Sequence, residues 1–306
     1  MTRKISVSLP DSALREYLKP HPDVTVLDWD FEGPAPQPKI DIVVPPYMGG
    51  TQVLRRLEDV ETALVQSQSI GYDGVAESLP AGRVFANAAG VHETSTAELV
   101  LAMVLASQRE FPRLFSNQQK GVWETRRTAS LADCRVLMVG YGGVGKAIEQ
   151  RLIPFETSVT RVASRARTTQ GGAVHGIAEL PALLPEHDIV VVAVPFSDAT
   201  RHLIDDAFLA AMPEGALLVN VARGPVADTD ALVRHTATGR IRAALDVTDP
   251  EPLPRDHPLW RTPGVIITPH VGGASAAMRP RMGRLLQRQI ELLLAGDEPV
   301  NVVLGG

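Results

Sequence analysis

The stretch RVLMVGYGGVGKAIE, residues 135–149, decides the reading of the whole chain. An apolar run, VLMV, enters a loop with glycine at 140, 142 and 145, and the residues beyond it favour helix. G-x-G-x-x-G alone is weak evidence, but between a strand and a helix it is the fingerprint of a dinucleotide-binding turn. Gly140 permits the tight turn, Gly142 lets backbone approach a pyrophosphate, and Gly145 lets helix and strand pack closely. Tyr141, Gly143 and Val144 complete the loop, which opens a helix toward the phosphates. The letters from Gly140 to Lys146 also spell most of a Walker A motif. That motif needs Ser or Thr next, and position 147 is Ala. The strand DIVVVAV (188–194) carries no acid at its end either, so a P-loop NTPase is not expected.

Working outward, VTRVA (159–163), DIVVVAV (188–194), ALLVNVA (216–222), IRAALDV (241–247) and VIITP (265–269) read as strands, with helical segments between most of them. Continuous apolar strands alternating with helices predict α/β architecture with a parallel sheet covered on both faces. The first 90 residues repeat the style. ISVSL (5–9), VTVLDW (24–29), DIVVP (41–45), TALVQS (62–67) and RVFANA (83–88) read as strands, and 11–19 and 50–58 as helices capped by Asp11 and Thr51. GPAPQPK (33–39) reads as a loop. A long helix is expected over 93–110, with Thr94 or Ser95 as its cap and Glu98 closing a capping box; it is the hinge into a second domain. The segment 274–296 is helical, with Pro280 kinking it or starting a new helix, and returns to the first domain.

An NAD site places an acid about 20 residues past the glycines, to accept from the ribose 2′-hydroxyl. Here the count lands in TRVASRAR (160–167), which holds Ser164, Arg165 and Arg167 and no acid. Glu156 precedes the strand and sits at its wrong end. Two arginines without an acid suit a 2′-phosphate, so NADP is favoured over NAD.

Composition bounds the rest. The chain has 306 residues, 44% of them apolar and 21% charged, enough for about two soluble domains. A net charge of −5 leaves no nucleic-acid footprint, and no apolar run approaches a membrane span. The single Cys134 excludes a disulfide within the chain, and with no signal peptide in MTRKISVSLPDS the cytoplasm is the default location. The histidines outside the loop 268–273 show no metal-ligand spacing, and His92 reads as a packing or surface residue near the hinge.

Three ionisable residues follow consecutive strands: Arg223 after ALLVNVA, Glu251 within DVTDPEP, and His270 within TPHVGG. Ligands of doubly wound sheets bind beyond the carboxyl ends of the strands. The trio suits reduction of a 2-keto acid. Arg223 clamps the carboxylate, His270 donates a proton to the carbonyl oxygen, and Glu251 holds the other ring nitrogen and favours the imidazolium.

GYGGVG (140–145), VNVARGPV (219–226), LDVTDPEPLP (245–254) and TPHVGG (268–273), in this order, resemble the D-isomer-specific 2-hydroxyacid dehydrogenases, and QSIGYDG (68–74) and GVHETSTAE (90–98) resemble that family's substrate loop and hinge. The resemblance implies a catalytic triad of Arg223, Glu251 and His270, and substrate-carboxylate binding at Ser69, Ile70 and Gly71. It places Thr96, Val194, Pro195, Val221, Ala222, Asp246 and Gly272 around the cofactor, with Asp246 near the nicotinamide carboxamide. It implies two Rossmann-like or flavodoxin-like domains: a substrate domain of 1–94 and 275–306, a cofactor domain of 95–274 inserted into it, and a homodimer acting on a small 2-keto or 2-hydroxy acid. The absent acid departs from the usual pattern. The chain ends without the regulatory domain of long phosphoglycerate dehydrogenases, and Glu251 stands where formate dehydrogenases carry Gln. A glyoxylate or hydroxypyruvate reductase is the expected activity. A nucleotide-sensing protein like the family's corepressors, or a phosphite-type dehydrogenase, are the alternatives. Against the sensing role stands the lack of disordered tails.

Overall fold

A computed structural model describes residues 4–305. The chain divides into two compact units, Met1–His92 with Gly273–Gly306, and Glu93–Gly272. The chain changes unit two residues before each position read from the sequence.

The first unit opens with β1 (Ile5–Leu9), α1 (Ser12–Arg15), β2 (Val24–Asp28), β3 (Ile42–Val43), β4 (Leu64–Gln66) and β5 (Phe85–Ala86). Asp11 caps α1, accepting from the Leu14 amide at 3.1 Å. The helix expected over 11–19 stops after one turn, because Pro20 disfavours helical geometry at Lys19 and the chain continues in tight turns at Tyr17 and Leu18. The segment Thr51–Leu57 is a 3₁₀ helix. Thr51 is its first residue rather than its cap, since Gly50 takes that place, and its hydroxyl accepts from Ser78.

The second unit runs α2 (Glu93–Gln108), α3 (Phe111–Gln119), β6 (Arg135–Val139), α4 (Gly143–Leu152), β7 (Ser158–Ala163), β8 (Arg167–Thr169), β9 (Gly172–Gly176), α5 (Leu180–Leu183), β10 (Ile189–Val192), α6 (Asp206–Ala211), β11 (Leu217–Asn220), α7 (Thr229–Ala237), β12 (Arg242–Leu245) and β13 (Val265–Ile267). The helix α2 begins at Glu93, so Thr94 and Ser95 lie inside its first turn and neither caps it. Ser95 and Thr96 turn inward and are buried. The chain then returns to the first unit through α8 (Met278–Ala295) and β14 (Val302–Leu304). Pro280 lies in the first turn of α8, where a missing amide costs nothing, so it starts the helix rather than kinking it.

Both units are α/β with mainly parallel sheets. The first has strand order β14-β5-β4-β3-β1-β2, with only β14 antiparallel, and the second has β13-β12-β11-β10-β6-β7-β9-β8, with only β8 antiparallel. In the second sheet the order reverses at β6, which pairs with β7 on one side and β10 on the other. Such a switch point opens a crevice at the carboxyl ends of the strands. Every residue of β10 and β11 is buried, as expected of strands covered on both faces. Among the described residues no helix is long and apolar enough to cross a membrane.

Candidate active site

The glycine loop sits at that switch point. Gly140 has φ of 103°, and a Cβ there would overlap the Ala193 carbonyl and come within 2.8 Å of the Val194 amide nitrogen. A Cβ on Gly145 would overlap the Gly140 carbonyl, so no other residue lets α4 approach β6 this closely. The amides of Gly140 and Tyr141 both donate to the Val162 carbonyl, at 2.9 and 3.1 Å, and pin the loop to β7. Gly142 caps α4 without a side-chain hydrogen bond, and nothing lies within 4 Å of a Cβ built on it. The Glu93 carboxylate stands beside Gly143, its Oε1 3.1 Å from a Cβ built there, while Gly142 supplies no side-chain cap and open space lies beside it. That opening fits a pyrophosphate.

The stretch TRVASRAR divides after Ala163. Ser164 and Arg165 are exposed past the end of β7, and Arg167 opens the β8–β9 hairpin, which the sequence did not announce. The Arg167 guanidinium donates to the Tyr141 carbonyl at 2.9 Å. In a trans peptide the carbonyl and the next N–H point in opposite directions. Holding the Tyr141 carbonyl against Arg167 thus turns the Gly142 N–H away from the hairpin. The Tyr141 hydroxyl donates to buried Glu149, whose carboxylate takes Arg161 Nε at 2.6 Å and Nη2 at 2.5 Å. Arg161 also reaches the Gly171 carbonyl in the hairpin turn. Burial, then the bond to Glu149, pushes the Tyr141 phenol up, and the same carboxylate raises Arg161. Sequence reasoning passed over this trio. Its signal was available: Glu149 lies on the buried stripe 145, 148, 149 and 152 of α4, and Arg161 lies inside a strand.

Beyond the strands of the second unit, His270 Nδ1 lies 2.5 Å from Glu251 Oε1, with the two side chains 28% and 39% exposed. A carboxylate accepts, so Nδ1 carries the proton and Nε2 is left for a ligand. Asp246, buried at the end of β12, builds this loop. It accepts from Thr268 Oγ1 at 2.6 Å and from the Val271 and Gly272 amides at 2.9 Å, and its own carbonyl takes the His270 amide at 2.8 Å. His270 is held at φ of 52°, a left-handed conformation that non-glycine residues seldom adopt without such support. A Cβ on Gly272 would come 2.9 Å from Asp246 and 3.4 Å from Thr96, which brings Thr96 beside the loop. Val194, Pro195, Val221 and Ala222 lie just past β10 and β11. Arg223 follows β11 in extended backbone and donates to the Ala222 carbonyl at 2.7 Å. A Cβ on Gly224 would overlap the Thr248 carbonyl, so the loop bearing Arg223 seats on the loop leading to Glu251. The fold joins Glu251 and His270 directly, and Arg223 to them through this backbone contact.

In the first unit, Ser69, Ile70 and Gly71 follow β4, and buried His92 sets Nε2 2.6 Å from the Gln68 carbonyl that precedes them. His92 thus has a specific tie that its sequence position alone did not suggest. Cys134 is partly buried beside Gln108, and burial pushes its thiol up. Among the described residues no cluster suits a metal ion.

A model of the D-isomer specific 2-hydroxyacid dehydrogenase NAD-binding domain matches residues 101–272. A glyoxylate reductase from Thermofilum pendens (strain DSM 2475 / Hrk 5) is 31% identical over 251 residues, 78% of this chain and 74% of that protein. The glyoxylate reductase/hydroxypyruvate reductase of Homo sapiens is 30% identical over 293 residues, 90% of this chain and 89% of that protein. A crystal structure of a D-isomer specific 2-hydroxyacid dehydrogenase from Xanthobacter autotrophicus Py2, in complex with NADPH and MES, superposes with a TM-score of 0.82 at 27% identity, covering 98% of each chain. The chain belongs to the D-isomer specific 2-hydroxyacid dehydrogenase family. It is an oxidoreductase of that family, which includes glyoxylate and hydroxypyruvate reductases and acts on small 2-keto acids, and it carries the family's NAD-binding domain.

Proposed function

We propose that this protein reduces a 2-keto acid of glyoxylate or hydroxypyruvate size to the D-2-hydroxy acid, and catalyses the reverse oxidation, with NADPH preferred over NADH. The observation that carries the reading is the 2.5 Å pairing of His270 with Glu251 beyond β13 and β12, with Arg223 past the neighbouring β11. Bound NADPH supplies the hydride to the keto carbon. Arg223 binds the substrate carboxylate and polarises the carbonyl; His270 Nε2 gives its proton to the carbonyl oxygen; Glu251, accepting from Nδ1, fixes the ring. The backbone of Ser69, Ile70 and Gly71 takes the substrate carboxylate.

The residues 140–145, with Thr96, Val194, Pro195, Val221, Ala222 and Gly272, surround the cofactor, and Asp246 acts through the loop it builds. Arg165 and Ser164, exposed past the end of β7 in a stretch whose own sequence carries no acid, take the 2′-phosphate. Arg167 shapes the glycine loop through Tyr141. The NADPH held by the Xanthobacter relative supports the same choice here. The chain works as a homodimer, for which the exposed aromatic face of α3 speaks, in the cytoplasm, which its single cysteine suits.

The test is steady-state oxidation of NADPH and NADH in parallel with glyoxylate and hydroxypyruvate. Turnover with NADPH is expected, abolished by Arg223→Ala. Arg165→Ala should raise the NADPH KM roughly tenfold, the worth of one charged hydrogen bond, and leave the NADH KM unchanged. A wild-type preference for NADH, or activity that survives Arg223→Ala, would overturn the reading.

A further inference from the structure

The loop after β4 shows an ordered set of carbonyl ties. The Gln68 carbonyl meets His92 Nε2 at 2.6 Å, the Ser69 carbonyl accepts from the Ala88 amide at 2.9 Å, and the Ile70 carbonyl accepts from Asn87 Nδ2 at 2.9 Å. The last two donors are adjacent residues at the end of β5, so the peptide planes 69–70 and 70–71 turn their carbonyls toward the same segment. Each trans plane then sends its N–H the opposite way. The amides of Ile70 and Gly71 therefore face together, away from 87–88, and among the described residues neither has an acceptor. Two convergent free amides form a concavity for an anionic oxygen.

We propose that Asn87 is the positioning residue that sets this amide pair for the substrate carboxylate. The proposal rests on the 2-keto acid reading above. Asn87 is 8% exposed, and its amide has no freedom to flip. Its Oδ1 accepts from the Ala89 amide at 3.2 Å, which leaves Nδ2 as the group that meets Ile70. Its own amide is tied to the Asn301 carbonyl at 3.0 Å, and Asn301 Nδ2 donates to the Ala89 carbonyl at 2.9 Å. The 70–71 plane is thus fixed by one side-chain donor on a backbone anchored at both sides. Asn87 touches no substrate; it decides which way the Gly71 N–H points.

Asn87→Asp keeps the shape and replaces the donor by an oxygen that repels the Ile70 carbonyl. The expected result is a glyoxylate KM raised about tenfold or more, with kcat within about threefold and an unchanged NADPH dissociation constant. Asn87→Ala, which removes the donor without the repulsion, should fall between. An unchanged KM in both variants would overturn the proposal, as would a loss confined to kcat. A second measurement needs no variant: in wild-type protein carrying ¹⁵N-glycine and ¹⁵N-isoleucine, added oxalate should shift the Ile70 and Gly71 amides. Silent amides in a protein that reduces glyoxylate would sink this inference and leave the activity standing. Shifted amides in a protein that reduces no 2-keto acid would sink the activity and leave the amide pair standing.

Discussion

Glu149 shows what one buried charge does here. Its side chain is 7% exposed, and its carboxylate is satisfied by Arg161 and Tyr141. Removing one partner of a buried pair leaves the other charge desolvated and unpaired, which costs about 3–5 kcal/mol. Glu149→Ala should therefore destabilise the protein by about that amount in urea unfolding followed by circular dichroism. Replacing both partners by apolar residues, Glu149→Leu with Arg161→Met, should recover most of the loss. A single variant as stable as wild type would show that the pair contributes nothing. At this scale the sequence was informative where chemistry dictates a residue type. Glycine at 140 and 145 follows from two overlaps with carbonyl oxygens. It was silent on which arginine of TRVASRAR binds inside the protein. Arg165 and Arg167 read alike as letters, and only the hairpin turns the second onto the Tyr141 carbonyl.

Strands β6 and β10 are tied at their start by Asp188, which takes the Arg135 amide and guanidinium at 2.8 Å each. The hydrogen bond from Arg135 is the largest cause holding the Asp188 carboxyl below its ordinary value, against the opposing effect of burial. A carboxylate lowered on folding stabilises the protein above its unfolded pKa, and that contribution is lost as pH falls through the lowered value. With the aspartate side chain 39% exposed, solvent screening limits the contribution to about 0.5 kcal/mol. Asp188→Asn should lower the melting temperature by a few degrees at most at pH 7, and the gap to wild type should narrow as pH falls below 3.8, the ordinary aspartate value. A gap that widens in acid would reverse the assignment. The strands were legible because apolar runs in a parallel sheet are buried on both faces. The helices of the first unit were less so, since Pro20 and Gly50 override the local pattern. The β8–β9 hairpin is short, with β8 largely exposed and Val174 its one buried residue, and it left no periodicity to read.

On the scale of the molecule, α3 has no buried residue, and it presents Phe111, Leu114 and Phe115 to the outside, with the Phe111 and Phe115 rings stacked at 5.4 Å. Trp123, shortly after it, is 96% exposed. Aromatic surface of this kind is characteristic of interface cores. If the homodimer proposed above uses this face, light scattering should give a dimer for the wild type, and Phe115→Glu with Trp123→Glu should give a monomer. A doubly substituted chain that stays dimeric would place the interface elsewhere.

By itself the sequence determined the class of fold, the order of the strands' motifs and the glycine loop, because burial, turn geometry and close approach each restrict the residue at a position. It also put Arg223, Glu251 and His270 past successive strands. Tertiary structure alone decided the rest: the 2.5 Å contact between residues nineteen apart, the burial of Glu149 against Arg161, and the hydrogen bond from Asn87 to the Ile70 carbonyl. These depend on which segments the sheet brings side by side, and a hydrogen bond between distant residues leaves no period in the chain from which to infer it.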